Sequence, residues 1–248
     1  MKMTLKTISA LLCYPSEDVQ AAIPELQAAV ASEKALPKEA EEALSGLLKE
    51  YATGDIYDLQ ERYVLLFDRT RSLSLHLFEH VHGESRDRGQ AMVDLAQLYE
   101  KHGLAVSANE LPDFMPLFLE FLSAIPSAEA RQHLSETVHI LEAIRQRLEK
   151  RQSAYASAFS ALQALSREQP DKDVLNAILS VPDDDPNDLA ALDAAWIDEE
   201  VKFGPGADTT CDTEGLAAKI RAGRRPAPGM ESPPQRRPVV AHSPSNRA

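Results

Sequence analysis

The chain has 248 residues, 44% hydrophobic but only 6% aromatic, enough for one substantial core and rich in the Ala, Leu, Glu and Gln that favour helices over strands. Its formal net charge of −13 repels nucleic acid and anionic lipid and attracts basic peptides. No apolar run approaches the roughly 20 residues that span a bilayer, and two distant cysteines, Cys13 and Cys211, argue for a reducing compartment over a disulfide framework.

The opening MKMTLKTISALLCYP has two lysines and a short apolar stretch. No A-x-A-like cleavage site follows, so it reads as the first helix of a mature cytoplasmic protein rather than a signal peptide. Ser16 has the character of an N-cap, with Glu17 and Asp18 in the first turn where the helix dipole favours anions. Pro24 is expected to break or bend that helix. Pro37 suits a first helical position and Gly54 a helix stop. Asp55 then caps a helix whose apolar face is Ile56, Leu59, Tyr63, Leu66 and Phe67.

Residues 68–85 are rich in Ser, His and Arg and carry no helical stripe. Asp87 and Gln90 resemble an N-cap with its reciprocal partner. Met92, Leu95, Ala96 and Tyr99 line a helix that stops at Gly103. Pro112 and Asp113 start another, with Phe114, Leu117, Phe118, Phe121 and Leu122 as its face, and Pro126 ends it. From Ser127 to about Leu165 the spacing of Leu134, Val138, Leu141, Ile144 and Leu148 predicts one long helix or two in series.

Beyond Gln169 the composition changes. Residues 171–200 hold ten acids and one base, with Leu175, Ile178 and Leu179, then Leu189, Leu192, Trp196 and Ile197, spaced for two short helices. Residues 204–248 contain seven Pro, five Gly and an excess of Lys and Arg. So few large apolar side chains cannot offset ordering entropy, which predicts disorder. The expected architecture is all-α: a single helical bundle over 1–168, an acidic helical extension over 169–203, and a disordered basic tail over 204–248, with no internal repeat.

Chemistry-bearing motifs are few. His76-Leu77-Phe78-Glu79-His80 has the His-x-x-Glu-His order of a zinc peptidase family. On a helix His76 and His80 would share a face, with Glu79 as base. A third ligand is not recognisable, and a His-rich surface segment is the commoner meaning of so short a pattern. There is no G-x-S-x-G, P-loop or G-x-G-x-x-G, and neither cysteine sits in a nucleophile context. Residues 55–122 instead mix Tyr63, Phe67, Phe78 and Phe114 with Arg69, Arg71, His76, His80, Arg86 and Asp113. Most such aromatics pack inward. An apolar groove with a polar rim, however, is what helix-in-groove peptide recognition requires.

The run LQERYVLLFDRTRSLSLHLFEHVHGESRDRGQAMVDLAQLYEKHGL, followed by NELPDFMPLFLEFL, resembles the respiratory nitrate reductase delta subunit family. These are molybdenum cofactor assembly chaperones within a wider group of redox enzyme maturation chaperones. The resemblance implies an all-α fold, no enzymatic activity and no resident cofactor. It implies binding to the apo form of the catalytic α subunit of nitrate reductase, at its N-terminal segment, while molybdenum cofactor and an iron–sulfur cluster enter. A nucleic-acid partner and stable membrane insertion are not implied.

In the wider group a Tyr-x-x-Leu-Phe motif borders the peptide groove, matched here by Tyr63, Leu66 and Phe67. A second motif is matched approximately by Glu110, Pro112, Asp113 and Phe114, with Phe114 where the group often has His. We therefore expect residues 56–67, 86–101 and 113–124 to form the groove. The expected peptide contacts are Tyr63, Leu66, Phe67, Arg69, His76, Phe78, His80, Arg86, Glu110, Pro112, Asp113 and Phe114. Protonation of His76 and His80 near Glu79 would couple release to pH. The competing expectations are a maturation chaperone of another molybdoenzyme, a helical scaffold assembling through residues 127–165, and a zinc peptidase using His76, Glu79 and His80.

Overall fold

The computed structural model of the protein describes residues 1–81, 87–106, 110–181 and 183. Arg86, the second short helix expected around Leu192 and Trp196, and the 204–248 tail lie outside them. Among the described residues the regular elements are helical. They are α1 (Lys2–Leu11), α2 (Glu17–Glu33), α3 (Lys38–Thr53), α4 (Ile56–Tyr63), α5 (Asp87–Lys101), α6 (Met115–Ala124), α7 (Ser127–Glu136), α8 (Val138–Lys150), α9 (Ala156–Ser166) and α10 (Lys172–Leu179). No helix among them is long and apolar enough to cross a membrane.

Several helix starts are capped by side chains. Ser16 accepts from the Val19 N–H and Asp55 from the Tyr57 N–H, which satisfies donors that have no partner within the helix. Glu33, at the far end of α2, receives the Met3 and Thr4 N–H groups at 3.0 and 2.8 Å and so caps α1 from another element. Gly54 ends α3 with φ −74°. Its value is close approach rather than a left-handed turn, because a Cβ there would stand 2.9 Å from the Glu50 carbonyl.

Two expectations about helix breaks are corrected. Pro24 does not interrupt α2, which runs unbroken from Glu17 to Glu33. Pro24 is exposed, and the one backbone bond it removes is outweighed by the burial of Ile23 and Val30 on either side. Residues 127–165 are not one or two helices but three. Thr137 Oγ1 donates back to the Leu134 carbonyl at 2.9 Å, which competes with the helical bond there and separates α7 from α8. Gln152 adopts φ +52°, and the Ser153 N–H reaches the Leu148 carbonyl at 3.0 Å. This is a left-handed stop made without glycine.

The core is built around α1 and α9. Leu5, Ile8, Leu11 and Leu12 are fully buried, as α1 packs against α2 and α6, while α9 packs against α3, α7 and α8. Tyrosines tie these layers. The Tyr51 hydroxyl donates to the Leu11 carbonyl at 2.9 Å, so at its 2.7 Å contact with Tyr155 the Tyr155 hydroxyl is the donor. Burial pushes the Tyr155 hydroxyl up to about 12. The first part of the acidic stretch joins this body: α10 packs on α8 with Ile178 buried.

Candidate peptide-binding groove

Between α4 and α5 the chain leaves the helical pattern. A π-helical turn (Val64–Asp68) and two 3-10 turns (Arg71–Leu73 and Leu77–Glu79) carry it across the bundle. Leu73, Leu75 and Leu77 are all buried, and this alternation is the period of a strand. Residues 75–77 do pair like one. The Leu77 N–H donates to the Asp113 carbonyl at 3.0 Å, and the Met115 N–H donates to the Leu75 carbonyl at 2.8 Å. The result is an antiparallel bridge between His76 and Phe114.

The Asp113 carboxylate has no exposed surface and anchors this junction. One oxygen lies 3.1 Å from His76 Nδ1, and the other accepts the Phe78 N–H at 3.1 Å. The hydrogen bond to Asp113 holds the His76 imidazole above its ordinary pKa against the opposing effect of burial. His80 Nε2 donates to the Ser74 carbonyl at 2.8 Å, and burial pushes its pKa down. Arg88 on α5 meets Glu79 at 3.2 Å, and the Tyr99 hydroxyl donates to the Pro112 carbonyl at 2.7 Å.

This geometry removes the basis of the zinc reading. His76 and His80 are not on an α-helix, and each ring is already engaged, by Asp113 and by Ser74. Among the described residues no three His, Cys, Asp or Glu side chains come together to hold a metal.

Beside the junction lies a hollow of about 400 Å³. Leu77, Phe78 and Val81 form one side, Phe118 of α6 and Ile140 of α8 the floor, and Ala91, Leu95 and Leu98 of α5 the other side. Asp94, His133, Glu136 and Thr137 supply its polar edge. Tyr99 is the one buried residue of α5, so this helix is pinned near its C-terminal end while its half-buried leucines face the hollow.

The structure divides the residues expected to contact peptide. Phe78 lines the hollow, and His76, His80, Pro112, Asp113 and Phe114 belong to the junction that positions Phe78. Glu110 is exposed at the start of the 110–115 segment. Arg86 lies outside the described residues. Tyr63, Leu66 and Phe67 are only 5, 8 and 7% exposed. The Tyr63 hydroxyl donates to the Leu12 carbonyl at 3.0 Å, and the Phe67 ring packs edge-on against Tyr155 at 5.0 Å. The expectation that residues 56–67 form a wall finds no support at this hollow: Tyr63 and Phe67 face the core, and none of residues 56–67 lines it. Arg69 is exposed at a separate hollow with Tyr14 and Tyr57.

The sequence reading did not single out Leu95, Leu98, Ile140 or Glu136 as site residues. Their helical spacing is that of any core face, so no local pattern sets them apart. It also passed over Arg147, which is 2% exposed. Arg147 donates to the Ser72, Ile178 and Val181 carbonyls at 2.9, 3.0 and 3.1 Å and fixes the base of the 70–81 segment to α8.

A family model described as nitrate reductase delta subunit matches residues 15–161. The chain is 44% identical over 219 residues to the nitrate reductase molybdenum cofactor assembly chaperone NarJ of Escherichia coli K12, covering 88% of this chain and 91% of that protein. It is 30% identical over 163 residues to a probable chaperone of the same description from Bacillus subtilis, covering 66% and 88%. A crystal structure of a putative redox enzyme maturation protein from Archaeoglobus fulgidus superposes with a TM-score of 0.51 at 22% identity, over 68% of this chain and 94% of that one. At that identity it bears on the fold alone.

Proposed function

Since the chain belongs to the nitrate reductase delta subunit family, we propose that it is a molybdenum cofactor assembly chaperone of nitrate reductase and works through the groove between the 77–81 turn, α5, α6 and the α7–α8 corner. The client is the apo catalytic α subunit, held by its N-terminal segment in the cytoplasm. The observation that carries this reading is the hollow itself: about 400 Å³, apolar on floor and walls, with Asp94 and Glu136 at its edge.

An amphipathic helix lays its apolar face on Phe78, Leu95, Phe118 and Ile140 while its Lys or Arg side chains meet Asp94 and Glu136. Removing about 400 Å² of apolar surface from water gives about 10 kcal/mol. Association costs at least about 4 kcal/mol of that. The remaining ~6 kcal/mol corresponds to tens of micromolar, tightened by ion pairing at the edge. A chaperone that must later release its client works in this range.

Calorimetric titration with a synthetic peptide of the α-subunit N-terminus tests the reading. Saturable heat is expected, with Phe78→Ala and Leu95→Ala weakening the complex about tenfold while the variants remain folded at the assay temperature. Absence of heat at high micromolar concentration, or equal binding by both variants, overturns it.

A further inference from the structure

A second surface lies apart from the groove. Tyr57 is 76% exposed, more than any other large apolar side chain among the described residues, and Tyr14 is 52% exposed. The Tyr14 ring stands edge-on to the buried Tyr63 at 5.7 Å, and Tyr57 sits in the first turn of α4 with its N–H on the Asp55 carboxylate at 2.9 Å. Gln60 Nε2 donates to the Pro15 carbonyl at 2.9 Å and locks α4 to the α1–α2 turn beneath them.

Two hollows of about 310 Å³ each share Tyr57 and Gln60. Val64 and Leu65 line the first, with Glu61 and Arg69; Glu17 and Asp18 line the second. Neither shares a residue with the groove.

We propose that this surface docks a short Arg- or Lys-bearing segment of a partner protein. A guanidinium or ammonium gains from the face of an exposed tyrosine, and its aliphatic stem finds Val64 and Leu65. Three carboxylates, Glu17, Asp18 and Glu61, outnumber the single cation Arg69 in the lining, so the charge of the surface complements a basic segment and disfavours an acidic one. A second copy of this chain, at −13, is repelled, and so is an anionic lipid surface. Arg69 gives the site polarity, placing an acidic neighbour of the bound cation at one end. This surface does not depend on the groove binding a client.

The test uses the full chain and a fluorescein-labelled Gly-Arg-Leu-Gly-Arg peptide, with Gly-Gln-Leu-Gly-Gln as its neutral counterpart. Anisotropy is read at about 150 mM salt, where the screening length is about 8 Å, and binding is mapped by amide chemical shifts. Saturable one-to-one binding of the arginine peptide alone is expected, with shifts centred on Tyr14, Tyr57 and Glu61. Tyr57→Ala should weaken it about three- to fivefold, Tyr57→Phe should retain it, and Glu61→Gln should weaken it more than Glu39→Gln on the distant start of α3. The proposal is overturned by non-saturating binding, by equal effects of Glu39→Gln and Glu61→Gln, by indifference to Tyr57→Ala, or by shifts centred on Leu95 and Ile140. Concentration-dependent dimerisation abolished by Tyr57→Ala would assign the surface to a second copy of the chain and equally overturn it.

Discussion

Replacing Asp113 with alanine should loosen the groove without touching it. The carboxylate is fully buried and serves two donors, the His76 ring and the Phe78 N–H. A hydrogen bond to a charged group is worth about 1.5–3 kcal/mol, and stranding a buried donor costs about 1–3 kcal/mol. The His76 side chain is 30% exposed, so its share belongs at the low end, and the expected loss is about 3 kcal/mol. Asp113→Asn keeps one acceptor for the Phe78 N–H and should lose about 1–1.5 kcal/mol.

The two variants also differ from wild type in pH dependence. The folded state raises the His76 pKa, so its contribution is fully present below the ordinary histidine value of about 6.5 and is lost as pH rises through the higher folded value. The gap between wild type and either variant should therefore be largest below about pH 6.5 and shrink as pH rises through the higher folded value, where the imidazolium charge is lost while the Phe78 bond and a neutral His76 bond remain. Urea unfolding at a series of pH values measures this, and client-peptide titration should show weakened binding because Phe78 is no longer held. A stability loss for Asp113→Ala under about 0.5 kcal/mol, or a gap that widens as pH rises, would refute the reasoning.

Tyr63→Ala and Phe67→Ala should cost about 3 kcal/mol or more of stability, read as a fall in melting temperature of roughly 6 °C or more; a variant that keeps its melting temperature yet loses client peptide would put these rings back in the groove. Arg147→Met should cost about 3 kcal/mol and speed protease cleavage near α10, since three carbonyls from two segments lose their shared donor; limited proteolysis followed by mass spectrometry reads this. Glu136→Lys should weaken binding of a Lys- or Arg-bearing client and flatten its salt dependence without lowering the melting temperature, and unaltered calorimetry would remove Glu136 from the binding edge.

The helices were legible where their signals are local. Ser16, Asp55 and the Val138, Leu141, Ile144 and Leu148 stripe of α8 act within a few residues, and the structure uses them as the spacing predicts. Boundaries were missed where the stop is unusual. Gln152 and Arg167 take left-handed φ without being glycine, and Thr137 breaks a helix through its own hydroxyl. The groove was legible only in part, because it is assembled from segments far apart in the chain. The S-L-S-L-H-L alternation passed unnoticed beside the Ser, His and Arg around it, and its partner at 113–115 is visible only in three dimensions. The same distance effect turned Tyr63 and Phe67 inward: whether an aromatic stripe faces a groove or a core depends on Leu12 and Tyr155, which no local pattern reveals.

The two sides of the groove are unequally anchored. Phe118 and Ile140 belong to helices embedded in the bundle, whereas α5 has one fully buried residue, Tyr99, with Leu95 and Leu98 half-buried against the core. Swinging α5 about Tyr99 would widen the gap at the expense of the Leu95 and Leu98 contacts while leaving α6 and α8 in place. Amide exchange should accordingly run faster along α5 than along α6 or α8, and a bound leader helix should slow it by supplying the packing that α5 lacks when alone.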